Sequence, residues 1–429
     1  MTRFHPPDAA PSETRGWPDV HGSPTPGLAP EGEQRCALYT EAFAADPHLI
    51  YDTLREQYGA LAPVELAPGV PATLVVRWDT AVRILNDEAH FPADPRIWQR
   101  SAPADSPILP MVEWRPNALR SAGAEHERYR RANVHALDTV NLHRLHDVVE
   151  KTAAPLVQEL LRDTTDTAQP GRAELLGQYV YPLVYQMLDH LLGFDAETSA
   201  QVGAGMAAIF DASTGAEAGN RMLQDALANH LRRVRESPGG DMTSELIAHS
   251  GLNDEEIIHQ LVTLHGAGSE PLVHLISNTL LLLMTDDRFA GGLLDGSLLT
   301  RDALDSVLFR NPPLANYCIT YPRQPILIDD VWLPAHQPVV ISMAACNNDP
   351  AVQASDILGN RSHLAWSAGP HSCPARTLGY QVAVDAIDYL LDGVPEIELA
   401  VHPSELTWRP GPFHRALNAL PVAFPTHRR

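Results

Sequence analysis

One stretch limits the fold more than any other: NDEEIIHQLVTLHGAGSEPLVHLISNTLLLLM, residues 253–284. Asn253 is a favoured N-cap, and Glu256 three positions on completes a capping-box-like start. As a single helix the segment is about 48 Å long, and it is apolar enough to require burial. Its middle, Gly266-Ala267-Gly268-Ser269-Glu270-Pro271, works against a helix. Pro271 has no N–H for the carbonyl of Ala267, and two glycines loosen the same turn. Yet the apolar pattern resumes at once with Leu272, Val273, Leu275 and Ile276. Either the chain holds a plain kink between two helices, or a distorted turn frees backbone groups and makes room for a ligand.

The other elements are also mostly helical. Residues 1–35, rich in Pro, Gly and charge, read as a flexible N-terminal arm. Residues 36–429 read as one cooperative domain. A helix is predicted near Pro47–Tyr58, and VELAPGVPATLVV alternates around Pro68-Gly69 as a β-hairpin. From about residue 79 to 310 the pattern is almost wholly helical. Short strands return in PILIDDVWLP and QPVVISMAA, one helix follows Cys373, and a β region closes the chain at NALPVAF. The predicted class is mainly α with small β-sheets at the two sequence ends.

Charge and cysteine usage narrow the function classes. The 429 residues carry 53 Asp+Glu against 31 Lys+Arg, a net charge of −22. Such a surface repels phosphate backbones and argues against a nucleic-acid partner. Cys36, Cys318, Cys346 and Cys373 form no C-x-x-C pair, which argues against a zinc site or a disulfide framework. Scattered thiols suit a reducing cytoplasm. The N-terminal residues have no apolar core of the kind a signal peptide needs. The most apolar run, Leu272–Met284, contains His274, Ser277 and Asn278 and is too short to span a bilayer. The expectation is a soluble, cytoplasmic, monomeric protein with no membrane contact.

The chemistry concentrates in WSAGPHSCPAR, residues 366–376. Gly369 permits close backbone approach to a flat object, and Pro370 and Pro374 stiffen the loop on either side of Cys373. The segment TLGYQVAVDAIDYLLDG that follows has helical period, so Cys373 lies just before a helix N-terminus, where amide dipoles favour thiolate. Such a niche suits a nucleophile or a metal ligand; a plain buried small residue is the bland alternative.

This loop resembles the haem-binding loop of the cytochrome P450 superfamily, F-G-x-G-x-H-x-C-x-G. Gly369, His371 and Cys373 match at the right spacing, while Trp366 stands where Phe is usual, Ser367 replaces a glycine and Ala375 replaces the last glycine. AGSEP (267–271) resembles the family's A-G-x-[D/E]-T, and HERYR (126–130) its H-x-x-x-R. VWLPAHQPVVISMAACNNDP and WRPGPFHRALNALPVAF follow in the family's order. The resemblance implies the cytochrome P450 fold of the bacterial type, with the long helix over a haem b (heme b, iron protoporphyrin IX). It implies Cys373 as the iron's thiolate ligand, a setting that favours O–O cleavage. His126 and Arg130, one helical turn apart, would share a propionate, with His371, Gly369 and Trp366 completing the cofactor contacts. Ala267, Gly268, Ser269 and Glu270 become the catalytic turn. The substrate walls would come from Trp98 and Met111 in the 97–119 loop, from Leu264, and from Leu314 and Asn316.

Three departures follow from the same alignment. Pro271 takes the place of the family's central threonine, so the proton relay loses a hydroxyl. Val307 takes the place of the E-x-x-R glutamate, leaving Arg310 to find another partner, such as Asp305 or backbone carbonyls. Ile319 replaces a further propionate-binding arginine. Two classes of function stay open: a haem-thiolate oxidoreductase acting on a small aromatic molecule, or a catalytically silent relative serving as a partner protein. For the enzyme, the missing hydroxyl points to oxidative coupling, for instance of tryptophan-containing cyclodipeptides (diketopiperazines), with hydroxylation of an apolar metabolite as the alternative. Electrons would come from a ferredoxin and ferredoxin reductase, since no flavin or nicotinamide motif is visible.

Overall fold

Helical period and caps in the sequence produce the long helices, and these occupy most of a computed structural model that describes residues 35–162, 170–210, 216–289, 298–352 and 360–425. The predicted N-terminal arm falls outside the described residues, apart from Arg35. The main helices are α1 (Pro47–Tyr58), α2 (Trp78–Leu85), α3 (Gly123–Asp138), α4 (Leu142–Arg162), α5 (Tyr181–Leu192) and α6 (Ala196–Phe210). They continue as α7 (Ala216–Glu236), α8 (Met242–His249), α9 (Asp254–Thr285), α10 (Thr300–Arg310) and α11 (Arg376–Gly393).

The predicted hairpin forms between β2 (Leu61–Ala67) and β3 (Val70–Val75), antiparallel, with Leu61 opposite Val75 and Glu65 opposite Pro71. The two sequence ends do not build separate sheets, as the linear pattern suggested. β3 pairs in parallel with β8 (Val339–Ile341), giving a five-stranded sheet in the order β1-β2-β3-β8-β5, where β1 is Cys36–Ala37 and β5 is Cys318–Thr320. A strand the helical pattern concealed, β4 (Gly171–Glu174), pairs with β10 (Pro421–Phe424), which also holds β9 (Glu398–Leu399). β6 (Ile326–Ile328) and β7 (Val331–Leu333) form a small ribbon. Distant segments are thus stitched together.

Helix α9 runs unbroken through Pro271 for 32 residues, so the kink between two helices is not what forms. Its start is the predicted capping box: Asn253 Oδ1 accepts from Glu256 N–H and Glu256 Oε2 accepts from Asn253 N–H, each at 3.0 Å. Energetics explain the continuity. Ile257 and Leu261 are buried in a cluster with α3, α7 and α8. Leu272, Val273, Leu275, Ile276, Leu280 and Leu283 are buried in another with α4, α5, α10 and α11. Each large apolar side chain buried contributes about 1.5–3 kcal/mol. Two on one side and six on the other outweigh the ~3 kcal/mol cost of one internal proline.

The partner sought for Arg310 is not needed. Its side chain is exposed at the end of α10. Asp305, only 2 % exposed, is instead held by Arg361 Nε at 2.8 Å and by the Tyr380 hydroxyl at 2.8 Å. Val307 is simply core. No helix among the described residues is long and apolar enough to cross a membrane.

Candidate active site

The Cys373 loop is shaped by what its backbone must avoid. Ser367 and Gly369 both adopt left-handed φ, 58° and 67°. Gly369 lies so close to α2 that a Cβ there would overlap the carbonyl oxygen of Leu85, so only glycine fits without displacement. Cys373 N–H donates to the Trp366 carbonyl at 2.8 Å, closing the loop on itself. The Trp366 ring covers Gly379, where a Cβ would sit 3.6 Å from it, so the loop is clamped onto the first turn of α11.

Electrostatics around the thiol differ in one respect from the sequence expectation. Burial raises the Cys373 thiol above its ordinary value, against the opposing pull of the Ala375 amide and the charges of Arg130 and Arg376. Burial and the helix start thus pull the thiol in opposite directions, and a cationic partner would favour the thiolate.

Around it, cationic and donor groups converge without acids to match. His126 and His371 stack with ring centroids 3.9 Å apart, and the Nε2 of each is buried with no hydrogen-bond partner. Burial, then the charges of His126, Arg130 and Arg120, push His371 down to about 3. Burial likewise lowers His126. Arg130 is half-buried, its charge reaches Cys373, and no carboxylate pairs with it among the described residues. Arg120 is 6 % exposed; it donates to the Met111 carbonyl and the Tyr317 hydroxyl, both at 2.8 Å, while its Nε finds no partner. Glu88 stands 3.7 Å from each histidine. In a chain with 53 acidic residues, guanidiniums and buried imidazole nitrogens left this bare are costly. They fit a ligand that brings its own carboxylates beside the sulfur, as a haem does with its propionates.

A cavity of about 130 Å³ opens on one face of α9. Thr263, Gly266, Ala267, Glu270 and Pro271 line it, at helical spacing, together with Met111 and Leu314. The proline removes the donor that would satisfy the Ala267 carbonyl, and both residues lie on this face. Glu270 is not a free acid. Arg409 donates to its Oε2 at 2.6 Å and His274 Nε2 to the same oxygen at 3.2 Å. Burial alone would raise the carboxyl, but His274 and Arg409 hold it down to about 2.

The remaining sequence candidates sit elsewhere. Gly268 packs against Leu188, and the Ser269 hydroxyl turns toward the Gly266 carbonyl and Tyr185, away from the cavity face. Leu264 joins the α3–α7–α8 cluster. Trp98 is core, its ring 5.6 Å from Tyr321. Asn316 is fully buried and structural: its Oδ1 accepts from the Tyr51 hydroxyl and its Nδ2 donates to the Pro412 carbonyl. Conversely, Arg120, Arg409 and His414 belong to the site region without having been singled out. Each is an isolated polar residue in a loop or terminal segment, with no periodic pattern to mark it.

No family model matches the chain. It is 29 % identical over 388 residues to the 2-hydroxy-5-methyl-1-naphthoate 7-hydroxylase of Streptomyces carzinostaticus, covering 86 % of this chain and 93 % of that one. It is 28 % identical over 402 residues to the cytochrome P450 monooxygenase PikC of Streptomyces venezuelae, covering 89 % and 91 %. Its fold is similar to that of CYP154C4 from Streptomyces sp. W2061, with a TM-score of 0.81 and 27 % identity over 91 % of this chain and 99 % of that one.

Proposed function

From the premise that this chain belongs to the cytochrome P450 superfamily and is an enzyme of its monooxygenase type, we propose that it oxidises a small aromatic metabolite at a haem b held by the Cys373 thiolate. The observation that carries this reading is the set of unanswered groups beside Cys373: two guanidiniums and two buried imidazole nitrogens without a partner. Arg130, His126 and His371, joined by Arg120, would bind the propionates. Gly369 would let the porphyrin plane lie close, with Trp366 behind the loop. Haem bound through a thiolate supplies the oxidising chemistry, electron donation from sulfur favouring O–O cleavage.

The chain's own residues set what happens to the substrate. Ala267 lines the cavity, and its carbonyl, denied a donor by Pro271, would accept from an N–H or O–H of the substrate. Met111 and Tyr317 supply a polarisable and an aromatic wall for a planar ring. Glu270 is held as a carboxylate by Arg409 and His274, so it accepts and holds hydrogen bonds rather than donating a proton. A turn with no hydroxyl on its cavity face and no free acid favours hydrogen abstraction from a bound N–H followed by coupling, as with tryptophan-containing cyclodipeptides. Hydroxylation is the second reading, favoured by relatives that are themselves named hydroxylases. Electrons would arrive from a ferredoxin and its reductase, and the working form would be a monomer.

Product masses from the reconstituted enzyme, ferredoxin and reductase decide between them. With an aromatic cyclodipeptide, coupling yields two substrate masses less two hydrogens; hydroxylation yields one added oxygen. No product from this class, with turnover of an aliphatic metabolite instead, overturns the aromatic assignment.

A further inference from the structure

A second cluster of ligand-type side chains lies apart from the Cys373 region, where α3 packs on α8. His135 projects from the last turn of α3, and Glu245 and His249 lie one turn apart on α8. His135 Nε2 is 3.4 Å from Glu245 Oε2, and His249 Nε2 is 3.5 Å from that same oxygen. The two imidazole rings meet edge to face with centroids 5.2 Å apart, and the three ligand atoms all lie within 4.8 Å of one another. Neither N···O separation is an ordinary hydrogen bond. Both match a different geometry: ligands about 2.0–2.2 Å from a tetrahedral zinc stand about 3.3–3.5 Å apart.

We propose that His135, Glu245 and His249 form a surface site for a divalent transition cation, zinc being the best fit to two imidazoles and one carboxylate. The cation takes Nε2 of each histidine and Oε2 of Glu245, with water in the fourth position. Both helices are fixed by buried residues next to the ligands, Ala136 and Leu137 on α3 and Leu246 on α8, so little ordering is needed on binding. The imidazoles are exposed and Glu245 is half-buried, so a cation enters from solvent. The consequence is a cross-link. α3 carries His126 about two and a half turns and Arg130 about one and a half turns before His135, so the metal would pin the helix that faces the thiol loop to α8. The site is independent of the substrate reading.

Titration of untagged holoenzyme with zinc chloride tests this, with the reduced carbon monoxide spectrum confirming that each variant keeps its cofactor. The wild type should bind one equivalent, and its melting temperature should rise with zinc. Both H135A/H249A and E245Q should bind at least tenfold more weakly, and the double variant should lose the melting shift. Unchanged binding in the double variant would place the metal elsewhere, for instance on Glu88, His126 and His371, and would overturn the proposal. So would a wild type that neither binds zinc nor shifts its melting temperature.

Discussion

Beside Cys373, Arg130, Arg120, His126 and His371 converge, and the nearest ion-pair oxygen among the described residues, on Glu88, stands 3.7 Å from each histidine. On the cavity face of α9 the opposite holds: the Glu270 carboxylate is already answered by Arg409 and His274, at 2.6 Å and 3.2 Å. One region holds two guanidiniums and two partnerless imidazole nitrogens in reserve; the other is neutralised from within. The difference teaches where an anionic cofactor gains binding energy and where a neutral substrate is judged by shape and hydrogen bonds. A buried cation without a partner is expensive until a ligand supplies the charge. A buried ion pair already made offers a newcomer little beyond its outline.

The comparison breaks most sharply at Gly369. Alanine there must hold a left-handed φ, costing about 1–2 kcal/mol, and its Cβ would overlap the Leu85 carbonyl. The loop has to move. Purified G369A should retain at least tenfold less haem per protein, measured by the pyridine haemochrome assay; wild-type occupancy would show that the loop's position against α2 is not what holds the cofactor.

Next is Arg130→Gln, which removes one cation from the unanswered set. A charge-assisted hydrogen bond contributes about 1.5–3 kcal/mol, so haem transfer to apomyoglobin should quicken about tenfold or more. An unchanged transfer rate would mean that Arg130 faces no propionate.

The smallest effect belongs to the neutralised side. Arg409→Gln leaves Glu270 with His274 alone. Because the Arg409 side chain is 43 % exposed, the loss should be about 1–2 kcal/mol in urea unfolding near neutral pH. The sign with pH follows from Glu270 itself. Its folded value is near 2, below the ordinary 4.5, so its contribution is present above about 4.5 and lost as pH falls toward 2. In R409Q that acid-side loss should shrink. An R409Q stability curve parallel to wild type between pH 5 and 3 would show that Arg409 does not hold the carboxylate down.

The parts legible in the sequence were those encoded locally. The Asn253–Glu256 capping box, the hairpin around Gly69 and the glycine-thiol spacing each need only neighbouring residues, and the helix, hairpin and loop formed where their patterns lay. Pro271 left two outcomes open because its cost is local while the compensation is tertiary, supplied by two cores gripping the ends of α9. At Cys373 the helix start was legible, but the burial that opposes it was not. Asn316 and Trp98 look like ligand contacts by type, yet Tyr51, Pro412 and Tyr321 had already taken their polar and aromatic faces. Arg120, Arg409 and His414 carried no periodic signal at all, since the fold alone brings such separated segments together.

The central claim is a sulfur–iron bond at residue 373, and the reduced, carbon monoxide-treated spectrum tests it most directly. Wild-type protein should show the absorption band from which the family takes its name, and Cys373→Ser should lose it even where haem is retained. A wild-type spectrum without that band, or a serine variant that keeps it, would contradict the account.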